Sequence, residues 1–174
     1  TGMEDGDLLM LSKPLGVGVL LSTREQSDED VALEQMKVSN LGARNSLAQL
    51  GSAVHAVTDV TGFGLIGHLS EMLGDSFLNA QVSLPSQAVL PQAQALFEAG
   101  KRTSADSRNR AAIDREIQGL TEGNSQSALF DPQTNGGLLA SVDPAFEIQL
   151  IERGFITVGK VVTGSGKIEI LSYQ

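Results

Sequence analysis

The stretch that decides the fold is residues 55–69, which reads HAVTDVTGFGLIGHL. Its first half is typical of a strand, Thr61 and Gly62 predict a turn, and the apolar residues that follow recur at helical spacing. Gly74 stands where that helix is expected to end in a left-handed residue. A strand that enters a helix through glycines exposes backbone N–H groups, which attract anions. We therefore predict a phosphate-binding turn that the ligand approaches at Gly62 and Gly64.

Gly62, Gly64 and Gly67 also spell G-x-G-x-x-G, the fingerprint of dinucleotide-binding domains. That class needs a second strand ending in an acidic residue about 20 residues further on, where the acid binds the ribose. The candidate strand, residues 80–84, runs into Pro85 without an acid. The sequence therefore disfavours a dinucleotide-dependent oxidoreductase.

Asp59 lies at the mouth of the predicted turn and points to metal chemistry. A bare carboxylate repels a phosphate, whereas a divalent cation between them is attracted by both, and Mg²⁺ prefers such oxygen ligands. The alternative is that Asp59 caps the helix and that the glycines only permit close packing. The residues alone leave both interpretations open.

Composition limits the classes of function open to this chain. Its 174 residues, 41% of them hydrophobic, suffice for one domain with a sizeable core. A net charge of −9 argues against binding to nucleic acid or to anionic membranes. Without cysteine, and with only two histidines, the chain offers no disulfide, thiolate zinc site or cysteine nucleophile. No apolar run reaches the roughly 18 residues of a spanning helix, so we expect a cytoplasmic protein.

Local patterns predict the remaining elements. The first third should form strands over residues 7–13 and 15–22 and one helix over residues 27–50. A strand around Val82 and a helix over residues 91–100 follow the central unit, and a polar segment over residues 101–127 holds at most a helical turn or two within 111–119. The chain should end with a helix over residues 144–154 and a hairpin of residues 155–162 and 167–172.

Three of these features have two interpretations each. Gly16 and Gly18 indicate the close approach of either another backbone or a ligand. Asn40, within the apolar stripe of the long helix, either bonds a neighbouring backbone or faces a site. The arginine-rich segment 101–127 is either a solvated surface loop or a lid whose arginines meet phosphate.

A second motif, residues 128–142, reads ALFDPQTNGGLLASV. Asp131 and Pro132 start a turn, and the Asn-Gly-Gly run that begins at Asn135 accommodates positive φ angles. Apolar residues on both sides predict two flanking strands. The dense set of short polar groups, which includes Gln133 and Thr134, exceeds what a hairpin tip requires.

Together the two motifs resemble the paired signatures of the ATP-binding superfamily of aminoimidazole ribonucleotide synthetase. Within it, the chain resembles the selenophosphate synthetases most closely, on the segments GDLLMLSKPLGVGVL, HAVTDVTGFGLIGHLSEM and LFDPQTNGGLLASV. The resemblance implies an α+β domain, with helices packed against a mixed sheet. It also implies that residues 1–174 are the C-terminal domain of a two-domain enzyme, which agrees with an opening, TGMEDGD, that reads like a cut chain.

The resemblance further implies that the missing N-terminal domain carries the catalytic residues, most of the metal-binding aspartates and the homodimer interface. ATP and Mg²⁺ would bind mainly there, while this domain closes over the phosphates. Asp59 matches the one metal-ligating aspartate that this domain supplies, and no residue of this chain is expected to be catalytic. The implied reaction converts selenide, ATP and water into selenophosphate, AMP and phosphate. Thr134 and Asn135 are assigned to the turn.

Two rival hypotheses remain. The parent could be a purine-biosynthetic synthetase or another ATP-dependent kinase of the same superfamily, and the N-terminal sequence would decide between them. The isolated chain could also be an inert structural module whatever reaction its parent catalyses.

Overall fold

A seven-stranded mixed sheet forms the centre of the protein in a computed structural model that describes residues 2–121 and 124–171. Its strands are β1 (Leu8–Leu11), β2 (Val54–Asp59), β3 (Leu78–Val82), β4 (Ile117–Gln118), β5 (Leu138–Val142), β6 (Ile156–Thr163) and β7 (Ile168–Ile170). Their spatial order is β2-β5-β1-β6-β3-β7-β4. Neighbours are antiparallel except where β7 pairs in parallel with β3 and with β4. The strand β2, which carries Asp59, therefore lies at one edge.

Helices cover both faces of this sheet. They are α1 (Val17–Thr23), α2 (Gln26–Lys37), α3 (Leu41–Ala48), α4 (Gly64–Leu73), α5 (Pro91–Glu98), α6 (Asp106–Ala111) and α7 (Glu147–Ile151). Short 3₁₀ segments complete the described elements at Gly51–Ala53, Ser86–Ala88, Asn124–Phe130 and Pro144–Phe146. This architecture confirms the predicted α+β class with helices packed against a mixed sheet.

Alternating side chains of the sheet pack into two separate hydrophobic cores, one on each face. Leu9 and Leu11 of β1 point into the larger core, which α1, α4 and α5 complete. Met10, between them, points into a smaller core on the opposite face, together with Leu47 of α3 and Leu150 of α7. This alternation follows from the two-residue repeat of a strand, and it fixes which face each helix covers.

The central unit folds as predicted. Strand β2 ends at Asp59, α4 begins at Gly64, and Gly74 follows the last helical residue with a φ of 51°. The strand around Val82 and the helix that begins at Pro91 are also present. Part of the predicted helix 144–154 forms as Pro144–Phe146 and α7.

The prediction of a strand over residues 15–22 is wrong, because this segment forms helix α1. The side-chain oxygen of Gln133 accepts hydrogen bonds from the N–H groups of Gly16 and Val17, and Asp131 accepts one from Gly18. Residues distant in the chain thus satisfy N–H groups that the first turn of a helix leaves without partners. Residues 15–22 alternate glycine with larger apolar residues, which favoured a strand. This local pattern gives no sign that Gln133 and Asp131 will bond the start of a helix here.

The two glycines at the start of α1, Gly16 at its N-cap position and Gly18 within it, confirm the close-packing interpretation. A Cβ at Gly16 would overlap the Ala93 side chain, and one at Gly18 would overlap the carbonyl of Pro132. Gly16 also has a φ of 121°, which L-residues rarely adopt.

The long helix predicted over residues 27–50 is interrupted. Helix α2 ends at Lys37, Val38 is extended, and α3 begins at Leu41. The Lys13 ammonium donates to the Val38 carbonyl at 2.6 Å, and the Asn135 amide donates to the Met36 carbonyl at 2.5 Å. These tertiary contacts satisfy carbonyl groups at the end of α2, so the chain can leave the helix there.

The predicted C-terminal hairpin is also wrong, since β3 lies between β6 and β7. The loop that joins β6 to β7 crosses the start of β3, where the Asn79 side-chain oxygen accepts hydrogen bonds from the N–H groups of Ser165 and Lys167. A local turn signal cannot reveal that a distant strand inserts between its two arms.

Segment 101–127, of which residues 122 and 123 lie outside the described residues, is elsewhere more structured than predicted. Helix α6 precedes the predicted helical turn at 111–119, and β4 falls within it. Asp106 and Asn109 of α6 are buried, so this part of the segment is not a solvated loop. The second motif has a strand, β5, on one side only, because a 3₁₀ segment precedes Asp131.

Candidate functional site at the junction of the two motifs

The two sequence motifs meet at the end of β2. The Val60 N–H donates to the Gly137 carbonyl at 2.8 Å, and the Gln133 N–H donates to the Thr61 carbonyl at 3.0 Å. Just before them, Asp59 pairs with Leu138 in the ladder of β2 and β5. Backbone hydrogen bonds therefore set the position of the Asp59 backbone relative to the second motif.

Glycines permit this close approach. A Cβ at Gly136 would overlap the carbonyl of Val60, and a Cβ at Gly64 would lie 2.8 Å from the Phe130 carbonyl carbon. Gly64 also has a φ of 73°. Both positions therefore require glycine for packing, which is part of what the sequence analysis proposed as the alternative to ligand binding.

Asn109, a buried residue that the sequence analysis missed, forms hydrogen bonds with both motifs. Asn109 of α6 is 1% exposed, and its amide nitrogen donates to the carbonyls of Gly62 and Phe130, both at 2.9 Å. Next to it, the Arg110 guanidinium lies 3.9 Å from the centre of the Phe130 ring and bonds Asp106 at 2.7 Å. The sequence analysis did not predict the bridging role of Asn109, because segment 101–127 is rich in polar residues and nothing in its sequence distinguishes this one.

The Asp59 carboxylate is exposed and has no hydrogen-bond or ion-pair partner within residues 2–121 and 124–171. It does not cap α4, because the residue at the N-cap position is Phe63 and makes no side-chain cap. The capping alternative is therefore excluded. An unpaired carboxylate on a hydrogen-bonded backbone can receive a cation without first breaking an existing contact.

Gly62 and Gly64 differ in their surroundings. Gly62 is exposed, and a Cβ there would contact nothing within 4 Å, so open space adjoins the turn. Gly64 is buried and donates its N–H to the Thr61 carbonyl at 3.1 Å. The approach of phosphate to these two glycines remains a prediction, and Gly62 is the more accessible of the two.

A hydrogen-bonded chain of three side chains supports the same turn. His68 Nε2 lies 3.0 Å from Thr61 Oγ1, and its Nδ1 lies 3.0 Å from Glu71 Oε2. His68 is 7% exposed, and the Phe63 ring packs against it at 5.8 Å. The spacing of His68 and Glu71, three residues apart on α4, was the sequence signal for this pair.

The dense polar set of the second motif is largely structural. Asp131 and Gln133 cap α1, and the Gln133 amide nitrogen donates to Asp131 Oδ2 at 2.9 Å. Burial raises the pKa of the Asp131 carboxyl to about 7, although hydrogen bonds from Gln133, Val19 and Gly18 oppose the shift. The desolvation of the charged form outweighs those bonds.

The other polar residues near this loop tie it to α2 and α3. Asn135 has a φ of 49°, as its assignment to the turn predicts, and its carbonyl accepts a hydrogen bond from Lys13 at 2.8 Å. The Asn40 amide donates to the Gly136 carbonyl at 2.8 Å, which confirms the backbone-tie interpretation. Lys13 is 3% exposed, and burial lowers the pKa of its ammonium group.

Two arginines of segment 101–127 already have structural partners. Arg115 donates to the carbonyls of Ser70, Gly74 and Gly166 within 3.0 Å, and so binds the end of α4. Arg110 is held by Asp106 and Phe130. These contacts favour a structural role over the lid alternative for both residues.

The chain matches the family described as "AIR synthase related protein, C-terminal domain" over residues 4–170. It therefore belongs to the AIR synthase related protein C-terminal domain family. Among its similar relatives are enzymes named selenide, water dikinase, which confirms the resemblance to selenophosphate synthetases. The enzyme of Dechloromonas aromatica (strain RCB) is 35% identical over 184 residues, covering 98% of this chain and 53% of the relative. That of Paraburkholderia xenovorans (strain LB400) is 38% identical over 186 residues, covering 98% and 51%.

The chain thus spans about half the length of the curated relatives it matches. Solved structures agree on the fold. The hydrogenase maturation protein HypE in complex with ATP aligns with a TM-score of 0.65 at 15% identity, over 98% of this chain and 49% of that one. Thiamine monophosphate kinase from Aquifex aeolicus aligns with a TM-score of 0.55 at 15% identity, over 97% and 51%. Within the described residues, no helix has the length and apolar character needed to cross a membrane.

Proposed function

We propose that this chain is the C-terminal domain of a selenide, water dikinase whose full-length form converts selenide, ATP and water into selenophosphate, AMP and phosphate. The observation that carries the proposal is that both family motifs converge on the exposed Asp59 in a chain 35% identical to such an enzyme over 98% of its length. An N-terminal domain supplies the catalytic groups and most of the ATP site, and no residue of this chain is proposed as catalytic. A cytoplasmic homodimer remains the expected form of the parent.

Asp59 suits a Mg²⁺ site that this domain would share with the N-terminal domain and the phosphates of ATP. Mg²⁺ keeps several of its waters and is usually bound by one or two carboxylates together with substrate phosphates. Asp59 offers one unpaired carboxylate, while the described residues bring no three His, Cys, Asp or Glu side chains together as a metal cluster. Bound there, Mg²⁺ would neutralise negative charge on phosphate oxygens.

The chain's own residues position the site. The bonds of Val60 to Gly137 and of Thr61 to Gln133 hold the backbone after Asp59, so the carboxylate is presented at a defined place. The exposed turn at Gly62 leaves room for phosphate, and the Asn109 side chain donates a hydrogen bond to the Gly62 carbonyl. Positioning of this kind is most of what a protein contributes to phosphoryl transfer.

The test is selenide-dependent formation of AMP from ATP by the full-length parent, followed by phosphorus NMR. Asp59→Asn should reduce turnover by at least about 100-fold, because it removes the negative charge that would hold Mg²⁺ against the phosphate oxygens. Asp75→Asn, which changes an exposed acid beyond the other end of α4, is the matched control and should retain activity. Near wild-type activity of Asp59→Asn would contradict the metal assignment. A parent that forms no AMP with selenide would contradict the proposed reaction.

A further inference from the structure

His68 forms hydrogen bonds with both Thr61 and Glu71, and this series of bonds can fix the direction of the Thr61 hydroxyl group. Both ring nitrogens of His68 are engaged, at 3.0 Å from Thr61 Oγ1 and 3.0 Å from Glu71 Oε2. The histidine side chain is 9% exposed, whereas that of Glu71 is 62% exposed. Thr61 is half-buried, two residues after Asp59, and forms part of the turn where the motifs meet.

The partners determine which ring nitrogen carries the proton. An ionised Glu71 carboxylate can only accept, so His68 Nδ1 carries a hydrogen and donates it. In the neutral ring, Nε2 is then an acceptor, and Thr61 must donate its hydroxyl hydrogen to it. The Thr61 hydroxyl hydrogen is then directed at the ring nitrogen, and both lone pairs of its oxygen stay available.

We propose that Thr61 is a further cation-facing oxygen of the site, which His68 and Glu71 fix as a hydrogen-bond acceptor. An oxygen with only lone pairs to offer suits a divalent cation or its bound water, and does not suit a phosphate oxygen, which is itself an acceptor. Thr61 would add a neutral oxygen two residues from the Asp59 carboxylate. The inference rests on the proposed function, and it names His68 and Glu71 as positioning residues.

The same two hydrogen bonds could serve only to stabilise the packing of the turn on α4. The test must therefore measure a property that a purely structural role would leave unchanged. The ring can be observed directly, because the chain has only two histidines. Nitrogen-15 NMR of the labelled chain at pH 7.5 should show His68 with a protonated Nδ1 and a hydrogen-bonded, unprotonated Nε2. His55→Gln assigns the signals by removing the other ring. Thr61→Val should shift the Nε2 signal and Thr61→Ser should leave it near its original position. A doubly protonated ring, or a hydrogen on Nε2 alone, would overturn the inference.

The second measurement is the Mg²⁺ dependence of the full-length enzyme. Thr61→Val should raise the Mg²⁺ concentration for half-maximal AMP formation by about 10-fold or more, the range found for groups that support a metal site. Thr61→Ser, which keeps the hydroxyl, should shift it little. Glu71→Gln should shift it in the same direction as Thr61→Val, whereas its matched control Asp75→Asn should not. If Thr61→Val fails to fold, Glu71→Gln carries the comparison.

The outcomes separate this inference from the proposed function. If Asp59→Asn is inactive while Thr61→Val and Glu71→Gln leave the Mg²⁺ dependence unchanged, the inference is wrong and the proposed function stands. If Asp59→Asn is fully active, the proposed metal role of this turn is wrong.

Discussion

The backbone carbonyl of Thr61 accepts a hydrogen bond from the backbone N–H of Gln133 at 3.0 Å. This bond joins the first motif to the second, which is distant in the chain. The same Gln133 caps α1 with its side-chain oxygen, so one residue links the turn after Asp59 to the start of another helix. Disturbing the second motif should therefore affect both the fold and the geometry around Asp59.

The isolated chain should bind Mg²⁺ and ATP only weakly. Asp59 supplies one carboxylate, and no metal cluster of three acidic, His or Cys side chains exists in the part of the chain that the structure describes. Titration calorimetry with Mg-ATP should give a dissociation constant no tighter than about 1 mM, equivalent to roughly −4 kcal/mol. The Asp59→Asn chain is the control for nonspecific heat. A micromolar constant would mean that this domain holds far more of the ATP site than proposed.

Two glycines in helices should respond to alanine with opposite signs. Gly18→Ala places a methyl group against the Pro132 carbonyl and should lower the free energy of unfolding by about 1 to 3 kcal/mol. Gly42→Ala, in α3, meets open space and should raise it by about 0.5 to 1 kcal/mol through helix propensity. Urea unfolding of both variants measures the difference. Equal effects would show that the contact of α1 with the second motif is not tightly packed.

Asn109→Ala should destabilise the junction of the two motifs. It leaves the carbonyls of Gly62 and Phe130 without their donor. The bond to Phe130 is buried, and a buried acceptor without a partner costs about 1 to 3 kcal/mol, whereas water can replace the part-buried bond to Gly62. We expect a loss of about 1 to 3 kcal/mol in the free energy of unfolding. Ser107→Ala, an exposed change on the same helix, should stay within about 0.5 kcal/mol of wild type. A loss no larger than that of the control would contradict the bridging role.

The buried Asp131 should make stability depend on pH. Burial raises the pKa of its carboxyl from 3.8 to about 7, so the folded state binds this proton more tightly than the unfolded state. The resulting stabilisation is fully present below about pH 4 and is lost as the pH rises through 7. Asp131→Asn cannot ionise, and therefore lacks this dependence.

Urea unfolding of both proteins at pH 4 and pH 8 isolates the effect of Asp131, because other ionisable groups largely cancel in the difference. The stability of wild type relative to Asp131→Asn should fall between these values by an amount on the order of 2 to 4 kcal/mol. A difference that is independent of pH would show that the Asp131 carboxyl ionises equally in both states.

Local sequence signals succeeded where the structure is local. The strand, turn and helix around Asp59 follow from periodicity and glycine placement, and Gly74 ends α4 as expected. The same reasoning failed for α1, because its first N–H groups are satisfied by Gln133 and Asp131. It failed for the last two strands because β3 inserts between them.

The residues of the candidate site also fall into two groups, those that the sequence indicated and those that only the structure revealed. Asp59 was proposed as a metal ligand from its charge and its position beside the turn, which left a capping role open, and from the family resemblance. The structure excludes the capping role, and the metal role stays a prediction. Asn109 and the pairing of His68 with Thr61 could not be found, because a polar side chain gives no sign in sequence of which distant backbone or hydroxyl it will meet.

The sequence by itself determined the strand–turn–helix unit and singled out the exposed carboxylate, because these depend on short-range patterns and on residue types. The resemblance of its two motifs to those of a known family supplied the family and the α+β class. Only the tertiary structure decided that 15–22 is a helix, that β3 separates the last two strands, and that Asn109 holds the turn at Gly62. Each of these depends on hydrogen bonds between residues far apart in the chain, whose partners are chosen by the packed fold and not by their neighbours in sequence.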